Sequence, residues 1–272
     1  MAEHPFDAAT QVEQIGPDLY RAHTPQDYWA FIGPFGGTTA ATLLNAMLAH
    51  PDRLGDPVSL TVNLAAAPQV GPYEIATRLT RKNNSSQHWS AELRQGDDPQ
   101  PLAMATAIFA QRRDSFSHLA AQPPAIHAWD DVAPLVSPFK SSWLSQYQFR
   151  FAEGGPNWEQ TPQETPQSPR SLLWLADQIE RPIDPKSLAS MADAFFGRIF
   201  QVRGQIVPFG TVSLTVYFHV AGDELQALNT TRLIALADAH IFHRSYCDQT
   251  GQLWSPSRVL LATTHQIAYF KW

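Results

Sequence analysis

The pentad Val-Ser-Leu-Thr-Val stands at Val58–Val62 and again at Val212–Val216, 154 positions apart in a chain of 272 residues. A spacing of more than half the chain implies duplication of a whole unit. Five β-favouring letters can coincide by chance, but a second correspondence follows in the same order. LAMATAIFA at 102–110 lies over LATTHQIAY at 261–269 at a shift of 159. The two halves can therefore be compared with each other, and function is expected where they differ.

Each half reads as one helix followed by several strands. Residues 35–50, FGGTTAATLLNAMLAH, read as a helix opened by Gly36-Gly37, rich in the good helix formers Ala, Leu and Met, and closed by Pro51. Strand-like runs follow at 58–67, 73–82, 88–95 and 102–112, separated by Gly71-Pro72, Asn83-Asn84-Ser85 and Gly96 through Pro99. Short turns favour antiparallel neighbours. In the second half a helix is expected at 186–200, after Asp184-Pro185, with strands at about 211–220, 230–238, 239–247 and 258–270. Two earlier strands, at 145–152 and 171–176, flank a proline-rich loop at 156–169. Residues 113–142, with Pro123-Pro124, Pro134 and Pro138, read as a linker. The expected division is a first unit over 1–112, the linker, and a second unit over 143–272.

Both helices carry apolar residues on most sides, Leu43, Leu44, Met47 and Leu48 in one and Met191, Phe195, Phe196 and Ile199 in the other. Such a helix is usually buried. The plan is α+β, a tandem double hotdog, with two antiparallel sheets each wrapped around a central helix. Pairing between the units supplies one closure, and further association into a homo-oligomer through outer strands or sheet faces is compatible with it.

Bulk properties narrow the function. A formal net charge of −6 and a pI near 5.9 argue against a nucleic-acid partner. The lone Cys247 allows no intrachain disulfide and suits a reducing compartment. The first residues show neither a basic nor an apolar signal region, and no apolar run approaches the roughly 18–20 residues that span a membrane. A cytoplasmic protein without membrane insertion is expected. His240 and His243, on the expected strand 239–247, would point to opposite faces, so no metal cluster is read there. His219 and His265 read as isolated strand residues, and Cys247 as a small buried one. No G-x-S-x-G elbow and no phosphate-loop or dinucleotide fingerprint occurs, and no cofactor is called for.

Laid over one another, the halves differ at three polar positions. Thr39, Pro57 and Ala107 in the first copy become Asp193, Thr211 and Gln266 in the second. Asp193 lies on a helix rich in Phe and Ile, where a carboxylate is costly without partners. It is either an edge residue of the apolar stripe or a functional group. Gln266 and Thr211 taken singly are ordinary strand residues.

At these residues the chain resembles the acyl-CoA thioesterase II family, the TesB-like double-hotdog thioesterases. The similarity runs over nearly the whole chain. It is carried by the Gly-Gly helix start in FGGTTAATLLNAM and by SRVLLATTHQIAYF, close to the family pattern G-x-L-[LV]-A-[ST]-x-x-Q. The family uses an Asp on the second helix, a Ser or Thr on the following strand and a Gln on the last strand. The resemblance places these at Asp193 in SMADAFF, Thr211 in FGTVSLTVYFH and Gln266 in TTHQIAY. Two departures stand out: Ser213-Leu214 replace the family's Asp-His, and Arg258 replaces a turn glycine.

The resemblance implies hydrolysis of acyl-CoA to a free acid and CoA. A carboxylate, a hydroxyl and an amide can together hold a water, with Asp193 as general base. Backbone N–H groups at a helix start can meet an oxyanion. Gly36-Gly37 suit that role by admitting a ligand close to the backbone, and equally suit tight helix packing. The alternative is a non-catalytic double hotdog that binds acyl-CoA or lipid. A hotdog hydratase would need an Asp–His pair, which is not found.

Overall fold

The computed structural model describes residues 3–139, 141–156 and 164–272, so half of the expected proline-rich loop at 156–169 lies outside the described residues. The chain opens with a short helix α1 (Pro5–Ala9) and a hairpin, β1 (Glu13–Gly16) and β2 (Leu19–His23), none of them expected from the sequence. Helix α2 (Gly36–Leu48) and strands β3 (Asp56–Leu64), β4 (Pro72–Lys82), β5 (Ser86–Arg94) and β6 (Ala103–Ala110) follow close to the expected positions. Among the described residues of the linker region a 3-10 turn at Trp129–Asp131 precedes α3 (Ser142–Ser145). The second half comprises β7 (Tyr147–Glu153), β8 (Ser171–Asp177), α4 (Pro185–Met191), α5 (Arg198–Arg203), β9 (Phe209–Phe218), α6 (Gly222–Leu228), β10 (Arg232–Asp238), β11 (Phe242–His243), β12 (Tyr246–Trp254) and β13 (Leu260–Phe270).

Two separate sheets do not form. The described strands make one continuous 13-stranded antiparallel sheet in the order β1-β2-β4-β5-β6-β3-β9-β13-β12-β10-β8-β7, with β11 off this path beside β12. The halves fuse where β3 pairs with β9, and these are the strands that carry the two pentads. Thr61 faces Thr215, its own counterpart, and their hydroxyls hydrogen-bond at 3.0 Å. Leu60 opposes Val216 and Val62 opposes Leu214, so the pairing is symmetric about the threonines. Fusion satisfies an edge that each half would otherwise leave open. All four of those apolar residues are fully or nearly fully buried.

The expected helix at 186–200 is interrupted. Asp184 caps α4 with a reciprocal box, accepting from Ser187 N–H at 2.8 Å, and Pro185 opens the first turn. After Met191 the chain tightens, with Asp193 N–H reaching Ser190 O and Ala194 N–H reaching Met191 O, both at 3.1 Å. It resumes as α5 only at Arg198 and ends at Gly204, whose φ of +64° fits the left-handed cap. Side chains take carbonyls freed by the break. The fully buried Arg198 donates from Nε to Phe196 O, within the break, at 2.9 Å, and its Nη1 ties the segment to Pro169 O, just before β8, at 3.0 Å. Strand 239–247 is also revised. His240 lies in a bend, and β11 turns into β12 through Arg244 and Ser245, both at positive φ (45° and 68°), a tight hairpin without the usual glycine.

The helices α2 and α4 pack against each other on the inner face of the sheet. A Cβ on Gly37 would lie 2.4 Å from Ser190 O, so the contact needs glycine there. No helix among the described residues is long and apolar enough to cross a membrane.

Candidate active site

Asp193 sits in the break just after α4, and the interruption turns its carboxylate out of the helix path toward β9 and β13. Thr211 Oγ1 donates to Asp193 Oδ1 at 2.9 Å, and Gln266 Nε2 donates to the same oxygen at 3.0 Å. Gln266 Nε2 also donates to Ala192 O at 3.0 Å, another carbonyl released by the break. Thus the structure brings Asp193, Thr211 and Gln266 together around one carboxylate oxygen.

Local strand geometry explains why each side chain arrives. Along β13 the burial alternates, with Thr264, Gln266 and Ala268 inward and His265, Ile267 and Tyr269 outward. On β9 the register against β13 shifts, Ile267 facing Ser213 and Ala268 facing Thr211, so Val212 is an extra, bulged residue. A bulge re-aims neighbouring side chains, and here it turns Thr211 to the same inner side as Leu214. The first copy bulges at the same pentad position, Val58, between Pro57 and Ser59.

The first half also contributes. A Cβ on Gly36 would lie 2.6 Å from Asp193 Oδ2, and the Gly37 backbone N–H hydrogen-bonds to the Asp193 carboxylate. Both glycines therefore serve close packing, and the N-terminal end of α2 faces the acid. The positive end of a helix favours a carboxylate. Asp193 is only 7% exposed, and burial nevertheless raises its pKa to about 7 against the opposing hydrogen bonds from Thr211, Gln266 and Gly37. The group is poised to exchange a proton near neutral pH.

Gln249 on β12 was not singled out in the sequence. It is 2% exposed, faces Gln266 across the ladder, and donates from Nε2 to Gln266 Oε1 at 3.1 Å. With both oxygen and nitrogen of Gln266 engaged, that amide supports Asp193 and has little left for a ligand. The same cross-strand place in the first copy is held by Trp89 and Ala107. Comparing paired strands, rather than single positions, would have found Gln249.

Asp193 and Thr211 form part of the wall of a largely apolar cavity of about 310 Å³ between the two halves. Its lining includes the aromatic side chains of Phe35, Trp143, Phe195, Phe196, Phe200 and Phe209 together with Leu64 and Ile206. Phe35 and Trp143 stack at 4.4 Å. Phe31 and Ile32 lie at the rim, 65% and 83% exposed. Apolar walls with a few convergent polar groups are the usual build of a small-molecule site.

The other sequence candidates lie elsewhere. His219 Nε2 bonds Thr263 Oγ1 at 3.0 Å, and Asp248 takes His240 Nδ1 at 2.6 Å with His265 Nε2 at 3.6 Å. Cys247 is buried, and burial pushes its thiol up to about 11, which disfavours the thiolate. Among the described residues no group of three or more His, Cys, Asp or Glu is placed to hold a metal ion. Arg258, the departure from a turn glycine, adopts φ +70° and donates a hydrogen bond to Pro124 O.

Comparison with known proteins agrees with this architecture. Residues 25–110 match the acyl-CoA thioesterase N-terminal domain and residues 118–270 the acyl-CoA thioesterase C-terminal domain. A conserved hot dog fold protein of unknown function from Alicyclobacillus acidocaldarius is 36% identical, with a TM-score of 0.93 over 100% of this chain and 99% of that one. A structure from Thermobifida fusca provisionally assigned as a thioesterase II is 19% identical, with a TM-score of 0.82 over 100% and 99% of the two chains. The acyl-CoA thioesterase II TesB2 of Mycobacterium marinum is 17% identical, with a TM-score of 0.76 over 98% of each chain. No curated protein matches the sequence significantly. With both domains of the family matched in order over most of its length, the chain belongs to the acyl-CoA thioesterase family and has its hotdog fold.

Proposed function

We propose that this protein hydrolyses acyl-CoA thioesters to a carboxylic acid and CoA, at the site formed by Asp193, Thr211 and Gln266. The observation that carries the proposal is a buried carboxylate, held by a hydroxyl and an amide, in the wall of an apolar cavity, in a chain of this family. Asp193 takes a proton from a water as that water's oxygen bonds to the thioester carbon. Thr211 accepts a hydrogen bond from the water through a lone pair while its own O–H remains donated to Asp193 Oδ1. Gln266 fixes the carboxylate in place. The carbonyl oxygen gains negative charge and meets the N-terminal end of α2. Because the Gly37 N–H is directed to Asp193, Gly36 carries more of that role. The carbon–sulfur bond then breaks, and the departing CoA thiolate takes up the proton. The route has no covalent acyl-enzyme.

The test is release of free thiol from acyl-CoAs of graded length. Release that depends on enzyme concentration is expected. Acyl-CoA binding without release at any length would instead favour the non-catalytic binder.

A further inference from the structure

The cavity holds about 310 Å³ and opens to solvent at a rim carrying Phe31 and Ile32, while the buried aromatic side chains of Phe35, Trp143, Phe195, Phe196 and Phe200, each less than a tenth exposed, form part of its wall. These rings are braced against one another rather than free to swing. Trp143 stacks on Phe35 at 4.4 Å, Phe196 packs on Phe149 at 5.4 Å, and Phe200 meets Phe209 at 5.5 Å. A dry protein cavity of about 150 Å³ accommodates one benzene, six carbons. A space about twice that size therefore accommodates about a dozen carbon atoms.

We infer that the site is built for acyl groups of short to medium length, with a ceiling near a dozen carbons, and not for the long chains of membrane lipids. The acyl chain has to share the cavity with the thioester, because Asp193 and Thr211 form part of the same wall. Carbons beyond the ceiling pass the rim at Phe31 and Ile32, whose side chains are mostly exposed, and lose less contact with water than carbons inside. Each methylene that enters an apolar site contributes about a fourfold gain in affinity. The affinity should therefore climb with chain length and then break.

This inference rests on the proposed function only in taking acyl-CoA as the ligand, and its test needs no turnover. S-alkyl-CoA thioethers from ethyl to octadecyl cannot be hydrolysed, and their Kd values can be measured by calorimetry on the intact protein. The expected series tightens about fourfold per methylene at first and levels off near decyl to dodecyl. Phe200→Leu, which opens the wall conservatively, should move the break to longer chains. Continued tightening to octadecyl overturns the inference, as does a series with no length dependence or no binding at all. A protein that shows the break yet releases no thiol from any acyl-CoA would sink the catalytic reading and leave the ceiling standing.

Discussion

Replacing Asp193 by Asn should make the protein more stable in alkaline solution while disabling the site. The acid is 7% exposed and its pKa is raised from 3.8 to about 7, with burial the largest cause. A raised pKa means that the folded state binds the proton more tightly than the unfolded chain. Its contribution to stability is therefore full below pH 3.8 and is lost as pH rises through about 7. A shift of about three units at about 1.4 kcal/mol each is worth about 4 kcal/mol by pH 8. Asparagine never ionises and escapes that loss. It keeps a carbonyl oxygen for Thr211 and Gln266, but its amide N–H₂ opposes the Gly37 N–H, at a cost of about 1–3 kcal/mol. The net expectation is a gain of about 1–3 kcal/mol near pH 8 and a loss of similar size near pH 4. Urea unfolding of both proteins at matched pH measures this. The difference between the two curves removes the common contributions of other titrating groups. A difference that does not change between these pH values would refute the claim that Asp193 is held against its charge.

Two further outcomes follow from the same structure. Gly37→Ala would place a methyl 2.4 Å from Ser190 O, so α2 must shift away from α4 and from Asp193. Thiol release should fall sharply, with about 1–3 kcal/mol of stability lost in unfolding experiments. Asp177, 1% exposed and with neither carboxylate oxygen hydrogen-bonded, has its pKa raised to about 7 by burial. Asp177→Asn should raise the melting temperature above neutral pH, where the wild-type charge is fully imposed, and leave thiol release unchanged.

The duplication was legible because the pentads are constrained twice. Leu60 and Val62 must fit the core, and the same residues must pair with the other copy across β3 and β9. That the repeat would itself form the seam was not legible, since a strand's partner across a long chain leaves no local mark. Helix α2 was readable from its apolar run and its Gly-Gly start. The break between α4 and α5 was not, because Ala192–Phe196 have ordinary helix-compatible letters and the interruption is stabilised from afar. Gln266 reaches the Ala192 carbonyl from β13. The trio was singled out by comparing the halves and by family resemblance, and the fold brings its three side chains together. What the letters concealed was the bulge at Val212 that turns Thr211 inward, and Gln249, which reaches Gln266 only through strand pairing. The hairpin at Arg244-Ser245 was missed for a related reason: it takes positive φ at both residues without the Asn, Asp or Gly that marks such a turn.

The central claim is that the Asp193 carboxylate activates the water. Thiol release from a medium-chain acyl-CoA by wild type and Asp193→Asn, across a pH series, tests it most directly. The account predicts that wild-type activity rises with pH through a midpoint of about 7, as Asp193 loses its proton. It predicts that the folded Asn variant loses about 10²–10⁴-fold at every pH. An Asn variant with wild-type activity, or an activity that falls as pH rises through that midpoint, would contradict it.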